Sequence, residues 1–337
     1  MAGSLTIPNV LANIAGPANA NLSLLDANWN QIRDYVNARE IAQDTFAARP
    51  AAGTAGRWFF ATDTGVLYAE IGGAWVQVGL GTLAASLGET LTGLGLSNNG
   101  GDATNDIDIA VGAASSEDAV IANRNLMSLT SALTKQLDAA WAVGTNAGGR
   151  MSAAAIANTT YFVHLIKRLD TGIVDVGFDV SATAPTLPAN YTRFRRIGAI
   201  LREAGAIVAF IQDGDFFQRT VPILQFTETP AATTAITKTA LVPIGINVIA
   251  RFNANLIDSG AAVNSVYFSD LATTDAAPNG SAAPGVQLRT HNTTSIMSAG
   301  QIDIRVNTSG QYRYRALGAA GTLTVVDVGW FDRRGRG

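Results

Sequence analysis

Short apolar stretches that alternate with polar or small residues, and that end in turn-forming residues, dominate this sequence. Ile107, Ile109 and Val111 alternate in this way, and the segment 174–180 repeats the pattern. A period of two places one side of a segment in a core and the other side toward solvent. The 34 glycines fall between such stretches. The pattern predicts a mainly β protein whose many short strands are joined by tight turns.

Composition restricts both the stabilising chemistry and the partners. The chain has no cysteine, so neither disulfides nor thiolate metal sites can stabilise it. Its 337 residues predict two or more domains. A net charge of −3 gives no electrostatic reason to expect nucleic-acid binding. Arg333, Arg334 and Arg336 form a local basic tip, which we interpret as solvated or as paired with acids of a neighbouring subunit.

The sequence predicts neither a secretory signal nor a membrane span. The first 25 residues carry no charged side chain, but no Lys or Arg precedes their apolar residues, and Pro8, Asn9 and Asn13 interrupt them. Other apolar stretches are shorter than the roughly 18 to 20 residues that a bilayer requires. We expect a soluble protein without membrane insertion, made in the cytoplasm of the cell that expresses it.

A helix is predicted after Pro17. Its apolar residues are spaced three, four, three and four apart, namely Leu22, Leu25, Trp29, Ile32 and Val36. This is the rhythm of a seam that packs against other helices, although an amphipathic helix lying on its own domain has the same spacing. Burying five such side chains contributes about 8 to 15 kcal/mol, whereas ordering some twenty residues costs roughly 20 to 40 kcal/mol. The helix therefore needs cover from neighbouring chains or from a larger particle.

Residues 57–79 are the clearest β unit. Asp63-Thr64-Gly65 and Gly72-Gly73 are turn signals that join three strands into a meander. Counting with a period of two, one face carries Trp58, Phe60, Val66, Tyr68, Val76 and Val78, and the other carries Phe59, Leu67, Ile71 and Trp75. Because both faces are apolar, other copies of the chain are expected to cover them. The predicted oligomer interface comprises Trp58, Phe60, Tyr68 and Trp75, together with Leu22, Leu25, Trp29, Ile32 and Val36.

Two stretches resemble elements of tailed-phage fibre and minor structural proteins. The first runs from Ala48-Arg-Pro-Ala-Ala-Gly-Thr-Ala-Gly-Arg-Trp-Phe-Phe through Trp75-Val-Gln-Val and resembles a repeating shaft element. The second spans residues 99–219 and includes Asn105-Asp-Ile-Asp-Ile-Ala, Leu133-Thr-Lys-Gln-Leu-Asp-Ala-Ala-Trp, Ala184-Pro-Thr-Leu-Pro, Tyr191 and Phe194-Arg-Arg-Ile-Gly. The resemblance implies a place in the virion and trimeric assembly as a fibre. It contains no catalytic signature and does not distinguish tail from capsid mounting.

Five regions are predicted along the chain. They are an attachment segment with the helix (1–45), a β-meander shaft element (46–80), a linker (81–98), a middle β domain (99–221) and an outer, jelly-roll-like β-sandwich (222–337). Leu133, Leu137 and Trp141, each four residues apart, predict one short helix in the middle domain. In the outer domain Asp303 and Arg305 alternate with isoleucines, so one strand face is core and the other meets solvent or a partner. The segment 275–285, rich in Ala, Pro and Asn, predicts an exposed loop suited to recognition.

Few residues offer reactive chemistry. His164 lies in an apolar strand, where we expect a hydrogen-bonded structural histidine, and His291 lies in a turn without nucleophile spacing. Asp213-Gly-Asp215 is a carboxylate pair of the kind that cleaves glycans, but Asp-Gly is also the commonest hairpin turn, which is the interpretation we favour. A final cluster, Asp102, Asn105, Asp106 and Asp108, offers oxygen ligands without matching an EF-hand, so a calcium site there stays open.

These features favour a non-enzymatic, homotrimeric tail fibre. We expect its N-terminus to bind other virion proteins and its C-terminal domain to bind a host surface glycan or protein, with no catalytic residue, metal or cofactor. One alternative is a capsid-mounted head fibre or decoration protein. Another is a polysaccharide-degrading tailspike, although such spikes usually show long β-helix repeats, which this sequence lacks.

Overall fold

The structure, a computed structural model, is almost entirely β. It describes residues 41–53, 56–63, 66–78, 89–118, 123–230, 234–258, 263–290 and 296–336. The mainly β class is thereby confirmed for the described residues, which form two compact units, Met1–Ser86 and Leu87–Gly337. The predicted N-terminal helix and its five seam residues lie outside the described residues. None of the helices that the structure describes is long and apolar enough to span a membrane.

Unit 1 contains one four-stranded sheet in sequential order. Its strands are β1 (Ile41–Asp44), β2 (Trp58–Ala61), β3 (Val66–Ile71) and β4 (Ala74–Gln77), with a short 3₁₀ helix at Phe46–Ala48. The antiparallel β2–β3–β4 meander is the one that the two turn signals predict. β1 is an additional strand, parallel to β2.

The strand register corrects the predicted faces of this sheet. Phe59 pairs with Tyr68, and directly paired residues of antiparallel strands project from the same face. Tyr68 therefore does not share a face with Trp58 and Phe60, and that prediction is wrong. Ala61 pairs with Val66, so an odd-numbered residue of one strand always pairs with an even-numbered residue of the other. A period-two count carried through the turn therefore assigns the residues of β3 to the wrong face.

Unit 2 begins with an eight-stranded sheet in the order β15-β14-β12-β13-β11-β10-β7-β6 and a three-stranded sheet in the order β5-β8-β9. The strands are β5 (Leu91–Gly93), β6 (Leu96–Asn98), β7 (Asp106–Ile109), β8 (Gly112–Ser115), β9 (Leu126–Leu129), β10 (Leu133–Ala140), β11 (Ala147–Arg150), β12 (Thr160–Arg168), β13 (Val174–Asp179), β14 (Tyr191–Glu203) and β15 (Ala206–Ile207). The predicted helix at Leu133, Leu137 and Trp141 is wrong, because most of it is β10. Residues four apart also share one face of a strand, and in β10 that face buries Lys135 and Leu137.

The rest of unit 2 forms a five-stranded sheet in the order β16-β17-β24-β19-β22 and a four-stranded sheet in the order β18-β23-β20-β21. The strands are β16 (Phe210–Asp213), β17 (Phe216–Glu228), β18 (Ala235–Thr239), β19 (Val248–Asp258), β20 (Ser265–Ser269), β21 (Gln287–Arg289), β22 (Ile296–Val306), β23 (Gln311–Ala316) and β24 (Thr322–Phe331). Phe252 of β19 packs on Tyr312 of β23 with ring centroids 4.8 Å apart. Side chains from the two sheets thus meet in a core, which gives this part of the chain its β-sandwich character.

One core joins the two segments that were expected as middle and outer domains. β17 runs across the expected boundary between residues 221 and 222, and it pairs with β16 on one side and β24 on the other. Its Phe217 packs against Phe210 and Trp330, with ring centroids 5.5 and 5.6 Å away. Most of the buried apolar residues described in unit 2 belong to a single connected cluster that includes residues from both segments.

Candidate functional site

The five-stranded sheet has one covered and one open face. Along β19, Phe252 and Ala254 are buried, whereas Asn253 and Ile257 are exposed. We call the solvent side of this sheet the open face; it carries Phe216, Gln218, Leu224, Thr227, Ile249, Arg251, Asn253, Asn255, Ile257, Met297, Ala299, Gln301, Asp303, Arg305, Thr322, Thr324, Val326 and Phe331. Strand alternation places all of them on one side, since directly paired residues share a face.

The middle of the open face is a surface of amides and hydroxyls. Asn253 of β19 pairs with Gln301 of β22, and the next row places Asn255 beside Thr324. Among the described residues, Oδ1 of Asn255 has no hydrogen-bond partner although solvent scarcely reaches it. Amides offer both donors and acceptors, so this surface can match a ligand rich in hydroxyl groups.

One end of the open face is an aromatic platform held by an arginine. The rings of Phe216 and Phe331 stack with centroids 4.6 Å apart. The guanidinium of Arg251 lies 4.8 Å from the centroid of Phe216 and 4.6 Å from that of Phe331. Its Nε and Nη2 donate to the two carboxylate oxygens of Asp303 at 2.7 and 2.6 Å. This bidentate pair fixes the guanidinium over the rings and leaves both ring edges at the surface.

A groove of about 1050 Å³ adjoins the platform, and we call it the arginine groove. Its lining includes Arg196, Asp215, Ile249, Asp303, Arg305, Phe331, Asp332, Arg333 and Arg336. Nη1 of Arg196 donates to Asp332 at 2.6 and 2.8 Å, and Arg336 pairs with Asp215. A smaller concavity of about 340 Å³ lies along Asp213, Phe216 and Phe331, so Phe331 borders both spaces.

Arg333 and Arg336 line this groove. The prediction that the C-terminal arginines are solvated or paired with a neighbouring subunit holds for only some of them. Arg334 is 5% exposed, and its Nε donates to the carbonyl of Ile197 at 2.6 Å. Burial lowers the pKa of Arg334 to about 10. Arg336 pairs with Asp215 of its own chain. The interpretation as solvated or intersubunit arginines is therefore wrong for these two, because the segment after β24 folds back onto unit 2; Arg333 is exposed, as predicted.

The predicted interface residues of unit 1 lie on two different faces. Trp75 packs on the buried Phe59 with centroids 6.0 Å apart, and its Nε1 donates to the carbonyl of Pro50 at 2.8 Å. On the same face, Tyr68 contacts Phe46 at 5.5 Å. Residues 46–50 of the same chain thus pack on the face that carries Tyr68 and Trp75.

The opposite face of the unit 1 sheet is partly exposed in the part of the chain that the structure describes. We call it the apolar face and define it by Trp58, Phe60, Leu67, Ile71 and Val76. Ile71 is 59% exposed and Val76 is 44% exposed, while Trp58 and Phe60 are half-buried. Two of the four interface residues predicted in unit 1 therefore lie on an uncovered apolar surface.

The described residues that were considered as catalytic candidates have structural roles. His164 is buried in β12, its Nε2 lies 2.9 Å from the carbonyl oxygen of Ser181, and burial lowers its pKa to about 4. It is the hydrogen-bonded structural histidine that the sequence predicts. Asp213 and Asp215 flank Gly214, which has a φ of +59° in the turn between β16 and β17, so the hairpin interpretation is confirmed. His291 lies outside the described residues.

The candidate calcium ligands are engaged in local hydrogen bonds. Oδ1 of Asp102 accepts from the backbone N–H groups of Thr104 and Asn105. Oδ1 of Asp108 accepts from Thr134 Oγ1 at 2.6 Å and from an amide of Asn99 at 2.8 Å. In the part of the chain that the structure describes, no group of three or more His, Asp or Glu side chains is arranged to hold a metal ion.

The expected recognition loop is present as a loop. Residues 275–285 connect β20 and β21, and most of them are exposed. Asp275 forms an ion pair with Arg315, with 2.6 Å between Oδ2 and Nη1, which connects the start of the loop to β23.

Comparison with known proteins gives no family. No family model matches the chain, and no curated protein matches it. Among solved structures, an exo-β-1,3-galactanase from Phanerochaete chrysosporium with galactose is similar over 71% of this chain and 57% of its own, at 10% identity and a TM-score of 0.17. A Cry1Da tryptic core variant from Bacillus thuringiensis is similar over 86% and 59%, at 9% identity and a TM-score of 0.16. The chain thus spans less than two thirds of either structure, and at such TM-scores neither likeness carries an argument.

Proposed function

We propose that this protein is a non-enzymatic structural subunit of a tailed-phage particle, a homotrimeric fibre that adheres to a saccharide at the host surface. The open face of the five-stranded sheet is the observation that carries the adhesive part of the proposal. Sugars combine apolar C–H surfaces with hydroxyl groups, and this face combines the Phe216–Phe331 stack with Asn253, Asn255 and Gln301. A wide apolar surface with a few placed polar groups is the usual composition of a ligand site.

Trimeric assembly is supported by the apolar face of unit 1. Exposed apolar surfaces of this kind mark contacts with other proteins. Identical chains are the economical source of cover, because one self-complementary arrangement buries the same side chains in every copy. The resemblance of residues 48–78 to shaft elements of phage fibres points to three copies.

Adhesion without cleavage is supported by how the groove carboxylates are held. Glycoside hydrolysis needs one carboxyl that protonates the leaving oxygen and a second that acts as base or nucleophile. Here Asp215, Asp303 and Asp332 each form an ion pair with an arginine. The oxygens of these carboxylates accept from guanidinium groups, which supports a role in orienting the arginines.

Competition with particle adsorption tests the proposal. Purified full-length protein, incubated with host cells before the phage that encodes it, is expected to reduce adsorption saturably and to release no oligosaccharide from the host polysaccharide. Native mass measurement is expected to give three times 35.0 kDa. A monomer at micromolar concentration contradicts the fibre, and released oligosaccharide contradicts the non-enzymatic role. Antibody labelling of intact particles separates tail mounting from the capsid-mounted alternative.

A further inference from the structure

The arginine groove carries more positive than negative charge. The arginines at or beside it are Arg196, Arg251, Arg305, Arg333 and Arg336, and the aspartates are Asp215, Asp303 and Asp332. Three of the five arginines are paired with the three aspartates, which leaves Arg305 and Arg333. Both side chains are exposed, and neither forms an ion pair with any described residue.

Asp270 acts on Arg305 at longer range and forms no ion pair with it. Its Oδ1 accepts from the backbone N–H of Thr273 at 2.6 Å and from the Thr273 hydroxyl at 2.9 Å. The donors of Arg305 and Arg333 are therefore available to a ligand. Guanidinium groups bind carboxylate and phosphate groups through paired hydrogen bonds.

Strand register places this free charge beside the aromatic platform. Phe216 pairs with Phe331, Phe331 with Ile249, and Ile249 with Arg305, so the four residues form one row across β17, β24, β19 and β22. Neighbouring strands lie about 4.8 Å apart, which puts Arg305 two strand spacings, or about 10 Å, from Phe331. A sugar ring resting on Phe331 and Ile249 therefore places an acidic substituent, its own or that of the next residue, at Arg305.

We propose that the arginine groove binds a saccharide that carries an anionic substituent, a carboxylate or a phosphate, with the sugar on Phe331 and Ile249 and the anion at Arg305 and Arg333. This inference rests on the proposed adhesive function and specifies its ligand class. A saccharide is favoured over an acidic segment of another protein because the charge lies on the same open face as the amides of Asn253, Asn255 and Gln301. Those amides match hydroxyl groups along a chain of sugars.

A glycan array probed with the full-length protein tests the ligand class. The array carries uronate-bearing, sialate-bearing and phosphate-bearing oligosaccharides, together with neutral ones and methyl esters of the uronates. Binding is expected to be confined to the anionic set and to be lost on the methyl esters. The carboxylate and phosphate arms show which anion is preferred. Binding to neutral saccharides alone, or to none, overturns the inference.

Four variants test the residues. Arg305→Gln and Arg333→Gln are each expected to weaken binding to the best anionic glycan about tenfold, since one charge-assisted contact is lost. Arg305→Lys, which keeps the charge but not the paired donors, is expected to lose less. Arg289→Gln removes an equal charge from β21, outside the groove lining, and is expected to bind like the parent protein. Equal binding by Arg305→Gln, Arg333→Gln and Arg289→Gln overturns the assignment.

Failure of this inference and failure of the adhesive function give different results. If the Gln variants still compete with particle adsorption as well as the parent protein does, adhesion stands and the anionic ligand is wrong. If the parent protein itself does not compete, the proposed function fails first. If Arg305→Gln instead changes the native mass, the free arginines serve a contact between copies, and the inference is overturned.

Discussion

Two sheets of the described structure, the unit 1 sheet and the five-stranded sheet of unit 2, each present a partly exposed face, and the two faces differ in composition. In unit 1, residues 46–50 contact the face that carries Phe59, whereas on the other face Ile71 and Val76 are exposed and Trp58 and Phe60 are half-buried. In the five-stranded sheet of unit 2 one face is also covered, but the other combines amides, hydroxyls and an arginine-held aromatic stack with the exposed apolar side chains of Leu224, Ile257 and Met297. An exposed apolar face lowers its free energy only by contact, whereas a polar face is solvated until a ligand replaces the water.

The difference separates an assembly surface from a ligand surface. Full burial of a side chain such as Ile71 or Val76 contributes about 1.5 to 3 kcal/mol, and in a trimer every copy gains it. Burial of Asn253 or Gln301 costs free energy unless each polar atom finds a partner. Apolar packing tolerates many partners of suitable shape, while the polar face discriminates among ligands by hydrogen bonds.

The largest expected effect comes from placing charge on the apolar face of unit 1. The double change Ile71→Asp and Val76→Asp costs a single copy little, because both side chains are already exposed. In a trimer it buries six carboxylates, so native mass is expected to shift from three times 35.0 kDa to 35.0 kDa. Val143→Asp is the matched control, since Val143 is 62% exposed in unit 2. A trimer that persists in the double variant would show that this face is not the interface.

A second test compares neighbouring residues on the two sides of β19. Phe252→Ala is expected to lower the free energy of unfolding by about 3 to 5 kcal/mol, because the buried ring packs against Tyr312 across the sandwich. Asn253→Ala, one residue later on the open face, is expected to change it by less than about 0.5 kcal/mol. Urea unfolding followed by tryptophan fluorescence measures both. Similar losses for the two variants would mean that the open face is covered by protein rather than available to ligand.

Local pattern was sufficient to predict the β class and several strands, and it failed where the pairing of strands decided which residues lie together. The alternation at residues 302–306 identifies the exposed side of β22 without any structure. It does not bring Arg305 into one row with Phe216, Phe331 and Ile249, because that row depends on three long-range strand registers. Leu133 and Leu137 show the other limit: a spacing of four fits a strand as well as a helix.

A third test concerns a carboxyl on the covered side of the five-stranded sheet, whose effect appears only at high pH. Asp327 of β24 is buried, and its Oδ2 accepts from the backbone N–H of Leu241 at 3.2 Å. Burial, with a smaller effect of Glu203, raises the pKa of Asp327 to about 7 against the opposing effects of the Leu241 hydrogen bond and Arg219. The folded protein thus holds this proton more tightly than the unfolded chain does. The resulting stability is fully present below about pH 4 and is lost as the pH rises through 7.

Asp327→Asn removes that loss while keeping an oxygen for Leu241. The variant is expected to exceed the parent protein by on the order of 4 kcal/mol in free energy of unfolding at pH 8, and to approach it near pH 4. The buried His164, whose pKa is lowered to about 4, destabilises the fold as the pH falls from 6.5 to 4, but it contributes equally to both proteins and cancels in their difference. Asp138→Asn, an exposed site on β10, removes the same charge and is expected to show no such pH dependence. A pH-independent difference between Asp327→Asn and the parent would mean that the carboxyl is already ionised in the fold, and that the covered face of this sheet tolerates a charge which its apolar surroundings should exclude.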